Sequence, residues 1–196
     1  MQANSQQKKG RWKLFAVIAI CASPMILSYL TYYVIKPEGR TNYGALIDPR
    51  EYPIPALDST TLDGKTAGLD AYKGKWIMLQ VSDAACAETC RTRLHDMRQL
   101  RLAQGKDMDR IERVWLVTDE QPLETQLIRE YDDMHILRVD PEKLSAWLPT
   151  ESGTTAADHI YMIDPLGNLM MRFPKNADPN KIKKDLSKLL KASRIG

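Results

Sequence analysis

The chain has 196 residues, with 28 Lys and Arg against 25 Asp and Glu and a net charge of +3. That length holds one membrane segment and one ordinary domain. Eleven Pro, ten Gly and three Cys exclude a low-complexity chain, a collagen and a disulfide scaffold. Six bases and one acid fall in residues 1–40, which leaves 22 bases and 24 acids over the other 156 residues. The basicity thus belongs to the N-terminus, and the near-neutral remainder is unlike a nucleic-acid-binding domain.

Residues 14–35 form a run of 22 residues without a charge. At helical rise it spans about 33 Å, enough for a bilayer core of about 30 Å. Pro24 lies inside it, and Tyr29, Tyr32 and Tyr33 gather at its C-terminal end as an aromatic belt would. Lys8, Lys9, Arg11 and Lys13 precede the run, and Lys36 and Arg40 follow it. The excess before the run predicts a cytoplasmic segment 1–13, an anchor in the inner membrane and a periplasmic C-terminal domain. A cleaved signal peptide has an apolar region of about 7–15 residues ending at small residues, and this run continues past Ala22-Ser23. An uncleaved anchor is therefore expected. Cys21 follows Ile20 rather than a small residue, so it reads as an apolar membrane side chain and not a lipidation site.

Residues 36–55, interrupted by Pro37, Gly39, Gly44, Pro49, Pro53 and Pro55, read as a linker, and 56–196 as the exported domain. A hairpin is predicted around 57–68. Residues 76–82 form an apolar strand, 85–104 a helix stopped by Gly105, and 114–118 a second buried strand. A helix over 122–131, a strand over 136–139 and a helix over 141–148 follow. Residues 159–163 and 168–173 are strands joined by the turn Asp164-Pro165-Leu166-Gly167, in which Pro fixes φ and Gly permits the reversal. Asp178-Pro179 opens a basic amphipathic helix with Ile182, Leu186, Leu189 and Leu190 on one face. The order β-α-β-α-β-α-β-β-α describes an α/β, thioredoxin-like fold, a mixed central sheet flanked by helices, behind a single N-terminal transmembrane helix.

The chemistry centres on Cys86 and Cys90, directly after a strand and at a predicted helix start. Four residues apart on a helix they share one face, within reach of one metal ion or of each other as a disulfide. A helix N-terminus lowers a thiol pKa; Asp83 and Glu88 oppose that, and Arg91 and Arg93 support it. Two packing cysteines are the bland alternative. Three intervening residues differ from the two of thioredoxin-type enzymes, no second cysteine pair offers a zinc site, and two thiolates favour Cu(I). Among the histidines, His95 lies nine residues beyond Cys86 on the same helix and points to its opposite side. His135 enters a strand with no visible partner. His159, before a strand and after a small polar run, is the candidate third ligand, with a structural histidine as the alternative.

The strand, Cys-x-x-x-Cys, helix, and then Asp158-His159-Ile160-Tyr161-Met162-Ile163-Asp164-Pro165-Leu166-Gly167-Asn168, resemble the Sco/SenC family. Those are membrane-anchored, thioredoxin-like proteins that help assemble the copper centres of cytochrome c oxidase. The resemblance covers roughly residues 56–190 plus the anchor. It implies copper bound by Cys86, Cys90 and His159, as Cu(I) and also Cu(II). The chain departs from the family's Cys-Pro-x-x-Cys-Pro, with Ala87 and Arg91 after the two cysteines, and so resembles a divergent member. Three readings remain open. The first is a metallochaperone that hands copper to an oxidase subunit or another assembly factor. The second is a thiol–disulfide oxidoreductase, with Cys86 attacking and Cys90 resolving, that keeps copper-site cysteines of a client reduced. The third is an assembly scaffold that uses neither chemistry. Copper transfer needs His159, and dithiol exchange does not.

Overall fold

A computed structural model describes residues 3–35 and 42–195. The chain divides into two compact units at residues 41 and 42. The first unit is helix α1 (Ala3–Leu30), which runs through Pro24 and ends in a π-helical turn at Thr31–Ile35. Within it Trp12–Ile35 is long and apolar enough to cross a membrane. Phe15, Ile18, Met25 and Ile26 stand exposed along it, as a lipid-facing surface requires. Two of its hydroxyls are satisfied internally: Ser23 Oγ donates to the Ile20 carbonyl at 2.8 Å and Thr31 Oγ1 to that of Leu27 at 2.7 Å.

The second unit comprises β1 (Ala45–Leu46), β2 (Thr60–Thr61), β3 (Trp76–Ser82), α2 (Glu88–Leu102), β4 (Ile111–Val117), α3 (Thr125–Glu130), β5 (His135–Arg138), α4 (Pro141–Trp147), β6 (Ile160–Ile163), β7 (Leu169–Arg172) and α5 (Pro179–Ala192). Its sheet runs β1-β7-β6-β3-β4-β5-β2. Strands β3, β4 and β5 are parallel neighbours; on the other side β6 pairs antiparallel with β3, and β7 antiparallel with β6. This is the predicted thioredoxin-like arrangement, a mixed sheet with helices packed on it.

Strand alternation sorts the core. Trp76 and Met78 of β3 pack with Met97 and Leu100 of α2 and with Ile182, Leu186 and Leu190 of α5. Ile77, Leu79 and Val81 pack on the other face with Val114, Leu116, Leu137, Leu144 and Trp147. A third cluster, Cys86, Cys90, Leu94, Trp115, Val117, Leu127 and Tyr131, lies where α2 and α3 meet the C-terminal ends of β3 and β4.

Two boundaries of the sheet differ from the sequence reading. Of the predicted linker 36–55, residues 36–41 lie outside the described residues, while the rest is part of the domain. There β1 pairs with β7, Ile47 N–H donates to the Met170 carbonyl at 3.0 Å, and Ile54 N–H to that of Gly167 at 2.9 Å. An edge strand leaves polar backbone groups unpaired, and this segment satisfies them despite its prolines. The reversal at 57–68 does form, with Ala67 N–H on the Ser59 carbonyl at 3.0 Å and β2 pairing onto β5. Strand β4 begins three residues before the predicted start. Glu112 and Arg113 hide its onset, and Arg113 is a buried cation paired with Asp133.

Candidate dithiol site

Ser82 ends β3, and the chain turns through Asp83 to Ala87 before α2 starts at Glu88, three residues later than predicted. Cys86 therefore precedes the helix rather than sharing it. Its φ is +40°, a left-handed conformation that a non-glycine residue holds only at a cost of about 1–2 kcal/mol. Asp83 supports the turn, its Oδ1 accepting Cys86 N–H at 3.2 Å. Cys90 is the third residue of α2. The two cysteines form a disulfide, with Cα atoms 5.1 Å apart, and both are buried.

The surroundings of the two sulfurs differ. Cys90 Sγ lies 3.1 Å from Ser82 Oγ, which in turn accepts Trp115 Nε1–H at 2.7 Å. Cys86 is covered from the solvent side. Arg91 Nε donates to the Cys86 carbonyl at 3.2 Å, and the same guanidinium pairs with Glu124 at 2.5 Å. Arg93 turns away, donating to the Ala157 carbonyl at 2.6 Å and standing 3.8 Å from Asp158. Its burial lowers its pKa. The Thr155 backbone N–H, then Lys175, hold the Asp158 carboxyl down at about 2. The two arginines expected to favour a thiolate are thus engaged by oxygen acceptors. What the pair can do is open to two thiols and close again.

His159 is not brought to the cysteines. Strand register is the reason: Ile160 pairs with Gln80 of β3, and Ile160 and Met162 pack on the α2–α5 side. His159 has extended backbone, φ −121° and ψ 154°, so its side chain shares the other side with Tyr161, and the two rings meet edge-on at 6.0 Å. The imidazole is fully buried, with Nδ1 2.9 Å from the Phe173 carbonyl and Nε2 2.7 Å from Thr154 Oγ1. Burial lowers its pKa, so the ring stays neutral. Both ring nitrogens are occupied. Among the described residues no three metal-ligating side chains converge, so Cys86, Cys90 and His159 as placed do not fit a three-ligand copper site.

The other histidines are also placed. His95 is exposed on α2. His135, expected to lack a partner, stacks on Tyr72 with ring centroids 4.2 Å apart and sits 3.1 Å from Glu112. Those partners are distant in sequence and invisible to local reading. Sequence reasoning also missed Ser82, Trp115 and Glu124. The only signal available was a serine ending an otherwise apolar strand.

The sequence pattern of the family described as transmembrane-like, thioredoxin-like, C-terminal domain matches residues 76–193, and that of the transmembrane-like N-terminal domain matches residues 5–34. No curated protein matches the chain. Among solved structures, Arabidopsis thaliana ScoI with copper bound is 17% identical with a TM-score of 0.53, over 77% of this chain and 99% of that one. Yeast Sco1 with copper bound is 13% identical with a TM-score of 0.54, over 79% and 96%. The thioredoxin domain of a Bacteroides vulgatus thiol-disulfide oxidoreductase is 19% identical with a TM-score of 0.51, over 70% and 95%. At such identities the likeness is one of fold, shared by copper proteins and thiol oxidoreductases alike. With the C-terminal pattern covering more than half of the chain and the N-terminal pattern its first helix, the chain belongs to the transmembrane-like, thioredoxin-like family.

Proposed function

We propose that the chain is a membrane-anchored thiol–disulfide exchange protein that keeps the copper-site cysteines of a cytochrome c oxidase subunit, or of another assembly factor, reduced. Residues 1–13 lie in the cytoplasm, and the α/β domain works in the periplasm. The observation that carries this reading is the Cys86–Cys90 disulfide at the end of β3, with the imidazole of His159 bonded on the other side of the sheet. In the reduced protein Cys86 attacks one sulfur of a client disulfide, forming a mixed disulfide and releasing one client thiolate. Cys90 then attacks Cys86 Sγ, closes the intramolecular disulfide and releases the second client thiolate. Two electrons pass to the client. The contact of Cys90 Sγ with the buried Ser82 hydroxyl, itself held by Trp115, supports the resolving role.

Copper delivery is the second reading, favoured by the likeness to Sco proteins solved with copper. Reduced Cys86 and Cys90 would take Cu(I) as cargo, since soft thiolates select it. His159 could join them only after leaving both of its hydrogen bonds and its side of the sheet.

The test uses the reduced full chain in detergent with an oxidised two-cysteine peptide. Peptide thiols should appear in step with closure of Cys86–Cys90. Cys86→Ser should abolish the reaction, Cys90→Ser should trap the mixed disulfide, and His159→Asn should leave the rate unchanged. Absence of peptide reduction, together with stoichiometric Cu(I) binding that His159→Asn removes from a folded protein, would install the second reading instead.

A further inference from the structure

Among the described residues Ser82 is the side chain in polar contact with a sulfur of the disulfide, and the exchange reading alone gives it no role. It is buried at the end of β3 beside Val117 of β4. A serine hydroxyl offers one proton and two lone pairs. One lone pair is fixed: Trp115 is fully buried, its indole nitrogen can only donate, and it donates to Ser82 Oγ at 2.7 Å. This pins the oxygen in place. Two further groups lie in range, Cys90 Sγ at 3.1 Å and the Asp83 carbonyl at 3.2 Å.

The oxidation state of Cys90 decides how these contacts are used. A disulfide sulfur has no proton to give and accepts weakly, so the hydroxyl proton goes to the Asp83 carbonyl. Reduction changes this in either protonation state. A Cys90 thiol donates its proton to the remaining lone pair of Ser82 Oγ, while the Asp83 bond persists. A Cys90 thiolate draws the hydroxyl proton to itself, and a hydrogen bond to an ion is stronger than the one it replaces. The reduced state therefore gains an interaction that the disulfide lacks.

We propose that Ser82, held by Trp115 as a positioning residue, is the hydroxyl that shifts the Cys86–Cys90 pair towards its reduced, working form. The proposal rests on the exchange reading above and names the group that sets its equilibrium. Because the Trp115 bond exists in both oxidation states, its loss cancels from the equilibrium and only the Cys90 contact is read.

The experiment is a redox titration of the full chain in detergent with glutathione. The Cys86–Cys90 disulfide takes two electrons and two protons from two glutathione molecules, which leave joined as glutathione disulfide. Ser82→Ala should move the equilibrium about tenfold towards the disulfide, which is ~30 mV for a two-electron couple. Ser82→Thr keeps the hydroxyl and should stay within about twofold of the parent, the lower edge of a single hydrogen bond's effect. Trp115→Phe frees the hydroxyl and should shift the equilibrium in the same direction by about threefold, again within that range. It keeps the test alive if Ser82→Ala does not fold. An equilibrium unmoved by both Ser82→Ala and Trp115→Phe would overturn the proposal while leaving the exchange reading standing. Equal shifts in the Ala and Thr variants would overturn it too, since a packing defect explains them. A parent disulfide that never exchanges with glutathione would instead overturn the exchange reading itself.

Discussion

Replacing His159 separates a structural imidazole from a ligand, because the two roles predict opposite losses. In His159→Ala the Phe173 carbonyl loses the Nδ1 partner at 2.9 Å. A buried acceptor left without a partner costs about 1–3 kcal/mol. Thr154 Oγ1 suffers less, since the proton it gives Nε2 of the neutral ring can turn to the Glu151 carbonyl at 2.8 Å while its oxygen still accepts Glu151 N–H at 3.0 Å. The cavity left by a fully buried ring adds about 2–3 kcal/mol, in the lower range for large-to-Ala changes. The expected loss is thus about 3–6 kcal/mol, a large part of a stability of about 5–15 kcal/mol. Urea unfolding of the oxidised full chain in detergent should show the midpoint falling by roughly 2 M at an m-value of about 2 kcal/mol per M. The pH dependence carries a second signature. The folded pKa of His159 is lowered by burial, so the unfolded chain binds its proton first as pH falls. Its contribution to stability is complete above the ordinary value of about 6.5 and is lost as pH falls from there through the folded value. His159→Asn should remove that part of the slope, with His95 and His135 common to both proteins. A His159→Ala variant within about 1 kcal/mol of the parent would refute the buried placement, since surface substitutions stay near that scale.

Reduction of Cys86–Cys90, which closes a loop of sequence separation 4, should cost only about 2 kcal/mol in chain entropy, and Tm should fall by about 4–8 °C in dithiothreitol by calorimetry. Arg91→Ala or Glu124→Gln should uncover Cys86 and raise the rate of dithiothreitol reduction several-fold, with little change in Tm, because this half-exposed ion pair is screened by solvent; stopped-flow alkylation reads the rate. Asp185→Ala should release residues 42–47, since the buried Asp185 carboxylate accepts the N–H groups of Tyr43 at 2.7 Å and Gly44 at 2.9 Å. Limited proteolysis should then cut that segment sooner than in the parent.

The parts legible in the sequence were those fixed by local pattern. The uncharged run at 14–35, the apolar strand at 76–82 and the Asp164–Gly167 turn each carry their signal within a few residues, and the structure has an element at each. Cys86 and Cys90 were legible as a pair for the same reason. Their separation was read as a helical turn, although Cys86 lies ahead of the helix at φ +40°. What failed depends on partners. The face occupied by His159 follows from the pairing of Ile160 with Gln80, and one residue of register would have turned the ring to the other side. The onset of β4 was hidden because Arg113 is paired with Asp133, twenty residues on. Ser82 gained meaning only when Trp115 and Cys90 were found on its two sides.

Both chemical readings pass through one state. A disulfide offers no thiolate, so Cu(I) can reach these sulfurs only after reduction, and client reduction likewise begins from the open pair. Both cysteines are buried, and Arg91, paired with Glu124, holds the Cys86 carbonyl, so this state is reached through a local opening at the start of α2. The left-handed backbone of Cys86 lies at that same point, and strain stored there is relieved when the turn relaxes. Ser82 acts from the strand end, on Cys90, and has no contact with the Arg91–Glu124 pair among its hydrogen bonds. Access is therefore governed from the solvent side through Cys86, and the equilibrium from the sheet side through Cys90. Changing Arg91 should alter how fast the pair reacts without altering where it comes to rest, and changing Ser82 should do the reverse.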